Sequence, residues 1–278
     1  MIFLLLACTN STDTAEEDLV LVTEGSLQFL SYNVHGLPPA VTEDDTPARI
    51  AELSPMLNNF QLVGLQEDWG AEDHNTILEN TEHPYDDYFD EILDSEKVYG
   101  SGLAFLSKLE MLSIENTHYL ECSGYLDGAS DCLASKGFQR IEIPLNAEQS
   151  LYVYNTHLEA GGGDEDNAAR ETQITQLLEA FAATSDMPMV FIGDMNLHGD
   201  DPEDVPLLER LYDAGLEETC LALDCSEPNH IDKVFFRSSS SITLTAEEWL
   251  REESFVDGDG IDLSDHPAIS SRIHWQIN

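Results

Sequence analysis

Five short polar motifs, four closing an apolar run and one preceding the last, constrain this chain more than any other feature. They are Tyr32-Asn33-Val34-His35, Gln66-Glu67, Asn155-Thr156-His157-Leu158, Gly193-Asp194-Met195-Asn196 and Ser264-Asp265-His266-Pro267. The runs are short and almost continuously apolar, which reads as buried strands. Together the motifs supply carboxylates, amides and imidazoles, the groups a metal-assisted phosphate-ester hydrolase needs.

The rest of the chain alternates strand-like and helix-like segments. Strands are expected over Leu27–Val34, Phe60–Gln66, Ser101–Ser107, Met189–Asp194, Ile231–Phe236 and Ala268–Trp275. Phe138–Pro144 and Leu151–His157 should pair around the turn Asn146–Gln149. Thr46-Pro47 opens a helix, and Pro55 must kink or restart it. Ile174, Leu177, Leu178 and Phe181 fall on one helical face after the loop Gly161–Asp166. Another helix, from Pro202 to Tyr212, turns Val205, Leu208 and Leu211 inward and stops at Gly215. Mixed strands and helices without repeats or a second-domain boundary imply stacked sheets covered by helices.

Charge limits the partners. The 278 residues carry 11 basic and 55 acidic side chains, a formal net charge of −44. Such a surface repels polyanions. The basic residues are scattered, so no stable nucleic-acid complex is expected. The acidity itself reads as solubility or adaptation to salt.

The motifs resemble those of the endonuclease/exonuclease/phosphatase superfamily, which includes pancreatic-type deoxyribonucleases, neutral sphingomyelinases, abasic-site endonucleases and inositol polyphosphate 5-phosphatases. The resemblance spans about residues 26–275. It implies a four-layer α/β sandwich, with two central mixed β-sheets flanked by helices. A strand-end carboxylate such as Glu67 is costly to bury unless it meets a cation, and Mg²⁺ suits oxygen ligands. The resemblance makes Glu67 the principal ligand, with Asn33 beside it and Asp265 at a second acidic position near the metal. Mn²⁺ and Ca²⁺ are alternatives to Mg²⁺.

The other roles follow the same resemblance. Asp194 and Asn196 are two apart and so on one face of a strand; Asp194 would orient the attacking water or touch the metal, and Asn196 would donate its amide N–H to a phosphoryl oxygen. His157 would donate to the phosphate or protonate the leaving group. His266 is the general base, since an imidazole accepts a proton near neutrality, and Asp232 occupies the position of its orienting partner. Lys136 has two readings, a phosphate contact or a solvated loop charge. Arg170 and Gln173 are expected to brace their helix and loop.

Leu5-Leu6-Ala7-Cys8 resembles the lipobox of bacterial lipoproteins, although no basic residue precedes it. Residues 1–7 then read as a residual signal segment, Cys8 as a lipidation site and anchor, 8–25 as an acidic tether and 26–278 as the domain. The expected location is the bacterial cell envelope, or secretion. In that compartment Cys122 with Cys132, and Cys220 with Cys225, should bridge rather than remain four free thiols.

The leading expectation is an exported phosphodiesterase of sphingomyelinase or phospholipase C type, acting as a monomer on a lipid headgroup. Alternatives are an extracellular nuclease, a phosphomonoesterase on sugar or inositol phosphates, and a non-catalytic surface-binding module. Trp249-Leu250 and Phe255-Val256 sit where sphingomyelinases carry a membrane-inserting hairpin. Their acidic flanks point instead to core packing.

Overall fold

A computed structural model describes residues 22–42, 44–125 and 131–278. Cys8, the proposed signal segment and residues 8–21 of the tether lie outside them. Twelve strands and six short or medium helices are found among the described residues. The strands are β1 (Glu24–Asn33), β2 (Leu62–Gln66), β3 (Tyr85–Phe89), β4 (Leu103–Ser107), β5 (Ser113–His118), β6 (Gly137–Pro144), β7 (Ser150–His157), β8 (Met189–Asp194), β9 (Glu217–Glu218), β10 (Asp232–Arg237), β11 (Ile242–Arg251) and β12 (Ile269–Ile277). The helices are α1 (Pro39–Thr42), α2 (Thr46–Leu53), α3 (Ala71–Asn80), α4 (Asp164–Ala183), α5 (Val205–Asp213) and α6 (Thr219–Ala222).

Two six-stranded sheets form, in the orders β11-β12-β1-β2-β4-β3 and β5-β6-β7-β8-β10-β9. Their inner faces share a core that includes Phe29, Phe105, Ile141, Val153, Ile192 and Ile273. The outer face of the first sheet packs Leu30, Val63 and Leu106 with Ile50 and Leu53 of α2 and Ile77 of α3. The outer face of the second packs Tyr154, Phe191 and Phe235 with Ile174, Leu177 and Phe181 of α4 and Leu208 of α5. The result is the expected four-layer sandwich: helices, sheet, sheet, helices.

Both faces of β1, β2, β7 and β8 are covered, which is why their sequences are nearly continuous apolar runs. β1 runs parallel to β2, and β7 parallel to β8. Parallel neighbours end on the same side, so Asn33 lies opposite Gln66 and His157 opposite Asp194. β10 runs antiparallel to β8 and starts with Asp232 opposite Asp194. β12 runs antiparallel to β1, so the loop holding Asp265 and His266 enters it at the same edge. Sheet direction alone therefore gathers all five motifs at one end of the sandwich.

Asp45 caps α2 through Ala48 N–H, and Pro55 restarts the chain as a 3₁₀ turn over Ser54–Asn59. In α5, Val205 is only half-buried and Leu207 takes the inward place beside Leu208 and Leu211. Four elements carry little sequence signal. β5 and β3 are mostly exposed, β11 alternates, and α3 buries only His74 and Ile77. β1 begins at Glu24, where it pairs with Gln276.

Candidate active site

The strand-end residues are held by irregular backbone. Glu67 and Asn196 follow β2 and β8 with φ of 57° and 48°, and His35 follows β1 at 49°. These left-handed conformations are uncommon for such side chains and cluster here. At Gly193, φ is 149° and a Cβ would lie 2.1 Å from Thr156 O, so only glycine lets β7 and β8 close beside Asp194.

His266 Nδ1 lies 3.0 and 3.2 Å from the two oxygens of Asp232 and 3.6 Å from Asp194 Oδ2. Both carboxylates are about 1% exposed. Burial opposes the imidazolium, but the bond and charge of Asp232, with Asp194 and Asp265, outweigh it and push the pKa up to about 10. Burial and mutual repulsion raise the Asp194 carboxyl, while burial raises Asp232 against the pull of His266. Ser264 fixes the loop: its hydroxyl donates to Asn33 O at 2.7 Å and accepts from His266 N–H at 3.2 Å.

Asn33 reaches the site through its nitrogen. Nδ2 donates to Glu67 Oε1 at 2.9 Å and to Asp194 Oδ2 at 3.0 Å, while Oδ1 accepts from His35 N–H. Its oxygen is thus turned from Glu67, which differs from the expected oxygen ligand beside it. Asp194 Oδ1 accepts from Asn196 N–H, and the Asn196 amide donates to Leu158 O at 3.2 Å.

His157 Nε2 lies 3.5 Å from Asp194 Oδ2 and 3.3 Å from Lys136 Nζ. Burial, then the charges of Lys136 and His266, hold it well below its ordinary pKa, so it is neutral at pH 7. Lys136 is buried, pairs with Asp131 Oδ1 at 2.9 Å and donates to Leu158 O at 2.8 Å. The solvated-charge reading of Lys136 is therefore corrected. Its ammonium is held within the wall behind His157.

Glu67 and Asp265 fit a hard divalent cation by their donor chemistry. Glu67 accepts only from neutral N–H groups, those of Asn33 and Trp69, leaving its charge largely uncompensated. His35 Nδ1 sits 3.3 Å from Asp265 and 3.9 Å from Glu67, so the two carboxylates flank one point. Asp194, Asp232 and His266 also gather closely enough to hold an ion. The other such group among the described residues, Glu218, Cys220 and His230, loses its sulfur to the Cys220–Cys225 bridge.

Beside Glu67 and His157 opens a cleft of about 380 Å³, walled by Trp69, Tyr99, Leu37, Val41 and Leu133. Its residues were not evident in the sequence, although Trp69 lies only two positions past Glu67. Arg49 also escaped notice. Its guanidinium donates to Val34 O, His35 O and Leu263 O, binding the first motif to the loop of the last.

The family model described as the Endonuclease/Exonuclease/phosphatase family matches residues 30–266, a span that contains every one of these strand-end groups. The chain belongs to this family. Within it, the chain is 25% identical to a sphingomyelinase of Mycobacterium tuberculosis over 272 residues, covering 90% of this chain and 53% of that protein. The chain thus spans about half the length of that relative. Among solved structures, it resembles sphingomyelinase C from Streptomyces griseocarneus with TM-score 0.67 and 16% identity, covering 89% of this chain and 99% of that one. A beta toxin from Staphylococcus aureus with bound magnesium ions has TM-score 0.67 at 17% identity, covering 89% and 99% of the two chains. TDP2 from D. rerio, complexed with single-strand DNA product, also has TM-score 0.67, at 18% identity and coverages of 89% and 98%. At these identities the structures share the fold.

The Cys122–Cys132 and Cys220–Cys225 disulfides are present. Arg170 Nη1 donates to Glu159 O and Gly161 O, and Gln173 bonds Glu159, so both brace the loop before α4. Phe255 packs edge-on to Tyr32 at 4.9 Å, and Trp249 lies against the inter-sheet core. No described helix is long and apolar enough to cross a membrane.

Proposed function

We propose that the chain is an exported, divalent-metal-dependent phosphodiesterase of sphingomyelinase type, cleaving a phospholipid headgroup ester by in-line attack of water. The observation that carries this reading is the Asp232–His266–Asp194 group, 3.0–3.6 Å apart, beside Glu67 and His157. The sphingomyelinase names of the relatives support the lipid ester, as does a surface charge of −44 that disfavours polyanions.

His266 receives the proton of the attacking water through Nε2, since Nδ1 is committed to Asp232. Asp232 holds the ring's orientation and stabilises the imidazolium. Asp194 positions the water. His157, neutral through its depressed pKa, and Asn196 donate hydrogen bonds to phosphoryl oxygens, and the leaving oxygen takes its proton from solvent rather than from His157. Lys136 braces His157 from behind and adds positive charge to the phosphoryl side. Glu67 and Asp265 would hold Mg²⁺, or Mn²⁺ or Ca²⁺, which would offset the negative charge that develops in the reaction and would lower the pKa of His266. Cys8 would carry the lipid anchor, and the domain would act as a monomer.

The test is hydrolysis by residues 9–278 of sphingomyelin vesicles, lysophosphatidylcholine vesicles, duplex DNA, RNA and an artificial phosphodiester, with and without Mg²⁺. Folded His266→Ala is the control. Metal-dependent phosphocholine release that His266→Ala loses supports the reading. Nuclease activity with the lipids intact overturns it in favour of the nuclease.

A further inference from the structure

At the β9 edge of the second sheet, Glu218, Cys220 and His230 bring a carboxylate oxygen, a sulfur and a ring nitrogen within 4.8 Å of one another. Cys225 is bonded to Cys220, so its sulfur joins the same cluster. Four residues separate the two cysteines, a pair spacing found in zinc sites. The turn that returns Cys225 to α6 is closed by backbone as well as by sulfur, since Cys225 N–H donates to Cys220 O at 3.0 Å. Thr219 fixes the start of α6, its hydroxyl donating to Val234 O of β10 at 3.2 Å.

His230 is the member that calls for a ligand. Its Nδ1 meets the carbonyl of Glu227, which can only accept, so in the neutral ring Nε2 keeps the lone pair. Nε2 is buried and has no hydrogen-bond partner among the described residues. A buried acceptor without a donor is costly. A ring fixed through its other nitrogen by a backbone carbonyl is how metal-ligating histidines are held. Glu218 supplies an oxygen. Its carboxylate accepts from Lys233 Nζ at 3.2 Å and from the Tyr212 hydroxyl at 2.9 Å, and each oxygen keeps a further lone pair. The charges also close. Glu218 balances the fully buried Lys233, and two thiolates would balance Zn²⁺, so the bridged and the zinc-loaded forms carry the same net charge into the interior.

We infer that Cys220, Cys225, His230 and Glu218 form a redox-gated zinc site, closed by the disulfide and opened to one soft divalent ion by its reduction. Cys220 is fully buried, whereas Cys225 is partly exposed and lines a cavity of about 290 Å³ with Leu223 and Trp249. A dithiol reductant therefore attacks Cys225 Sγ. The S–S bond breaks with its electron pair on Cys220, and the second thiol of the reductant then displaces Cys225 and closes the reductant's own disulfide. The two thiol protons pass to the cysteines and leave to solvent when Zn²⁺ binds. Thiolate and imidazole select zinc, while the carboxylate centre at Glu67 suits Mg²⁺, so the two sites take different ions.

The experiment compares full-length wild type, Cys220→Ser/Cys225→Ser and His230→Ala, each oxidised or reduced with dithiothreitol. The reductant is removed without air, and Zn²⁺ is added in excess Mg²⁺, which occupies the carboxylate centre. Bound zinc is counted by elemental analysis, Co²⁺ in place of Zn²⁺ reports thiolate ligation by its charge-transfer absorption, and circular dichroism follows the fold. Cys8, Cys122 and Cys132 are common to all three proteins, so differences among them report this site. Reduced wild type is expected to hold about one more zinc per chain than oxidised wild type or the reduced double-serine variant. His230→Ala should weaken zinc binding by more than the roughly tenfold that loss of an outer partner costs. Unfolding of the reduced wild type that zinc reverses would equally support the site. Equal zinc in oxidised and reduced wild type, equal zinc in reduced wild type and the double-serine variant, unchanged affinity in His230→Ala, or a reduced chain that zinc leaves unfolded overturns it.

Discussion

Glu67 and Asp194, which belong to different sheets, are joined through one amide: Asn33 Nδ2 donates to both, at 2.9 and 3.0 Å. The arrangement keeps two negative groups close without a cation between them. Asn33→Ala removes both bonds and should lower stability by about 1–3 kcal/mol. Asn33→Asp adds a third buried carboxylate and should be worse at pH 7 than at pH 5, where protonation relieves it. Urea unfolding at the two pH values measures this. Equal losses for both variants at both pH values would remove the electrostatic account.

His266 is held as an imidazolium by Asp232 and Asp194, with a pKa of about 10 in the metal-free protein. The folded value lies above the ordinary one of about 6.5, so its stability contribution is complete below about pH 6.5 and is lost as pH rises through about 10. Histidine resonances followed by NMR should show His266 titrating far above the others. Added Mg²⁺ should lower its pKa, because a nearby cation disfavours the imidazolium. A titration near 6.5 without metal would contradict the geometry. Asp232→Asn should reduce turnover by about 10²–10⁴-fold while leaving KM near wild type, since the orienting group acts on the chemical step.

How much of this was legible in the sequence depends on the kind of contact. Glu67, His157, Asp194 and Asn33 were visible because each closes a strand whose sequence is mostly apolar. The parallel pairing that brings them together follows from the sandwich the motifs imply. Lys136 was ambiguous, since burial of a lysine depends on Asp131, which lies in a Gly/Asp-rich stretch without periodicity. The Trp69–Tyr99 wall joins the end of β2 to the segment entering β4, a long-range contact with no local pattern. β5 and β3 were missed because edge strands with solvated side chains lack an apolar signal.

Lys136 compensates Asp131 and touches His157 from inside the wall. Lys136→Met leaves Asp131 buried without its cation and should cost about 3–5 kcal/mol. It also removes a charge that lowers the His157 pKa, so that pKa should rise. The double variant Lys136→Met/Asp131→Asn removes both charges and should recover part of the stability. Failure of the second change to recover any stability would show that the pair is not the relevant partner.

The Cys122–Cys132 bridge ties down Cys132, next to Leu133, whose carbonyl accepts from Tyr99 N–H. Replacing both cysteines with serine should lower unfolding stability by about 2–3 kcal/mol, chiefly by freeing the unfolded chain. Reducing agent should destabilise wild type by at least as much, and the double variant only by the share of the remaining Cys220–Cys225 bridge, whose shorter span constrains the unfolded chain less. Identical melting of the oxidised and reduced proteins would contradict this.

Glu159 supplies a pH dependence separate from the catalytic centre. Its buried carboxyl is pushed up to about 7 by burial and by Asp131, despite Lys136 and the bonds from Ser123 and Gln173. A carboxyl with a raised folded pKa favours the fold only while protonated. Its contribution is therefore complete below about pH 4.5 and is lost as pH rises through about 7. The loss is on the order of 3 kcal/mol. Glu159→Gln cannot ionise and should flatten that part of the stability profile. At pH 5 it should cost about 1 kcal/mol, because one of the two donors to the carboxyl then meets an NH₂ group. Denaturant midpoints at pH 5 and pH 8 decide between these outcomes. A wild-type difference that persists in Glu159→Gln would assign the pH dependence to another group.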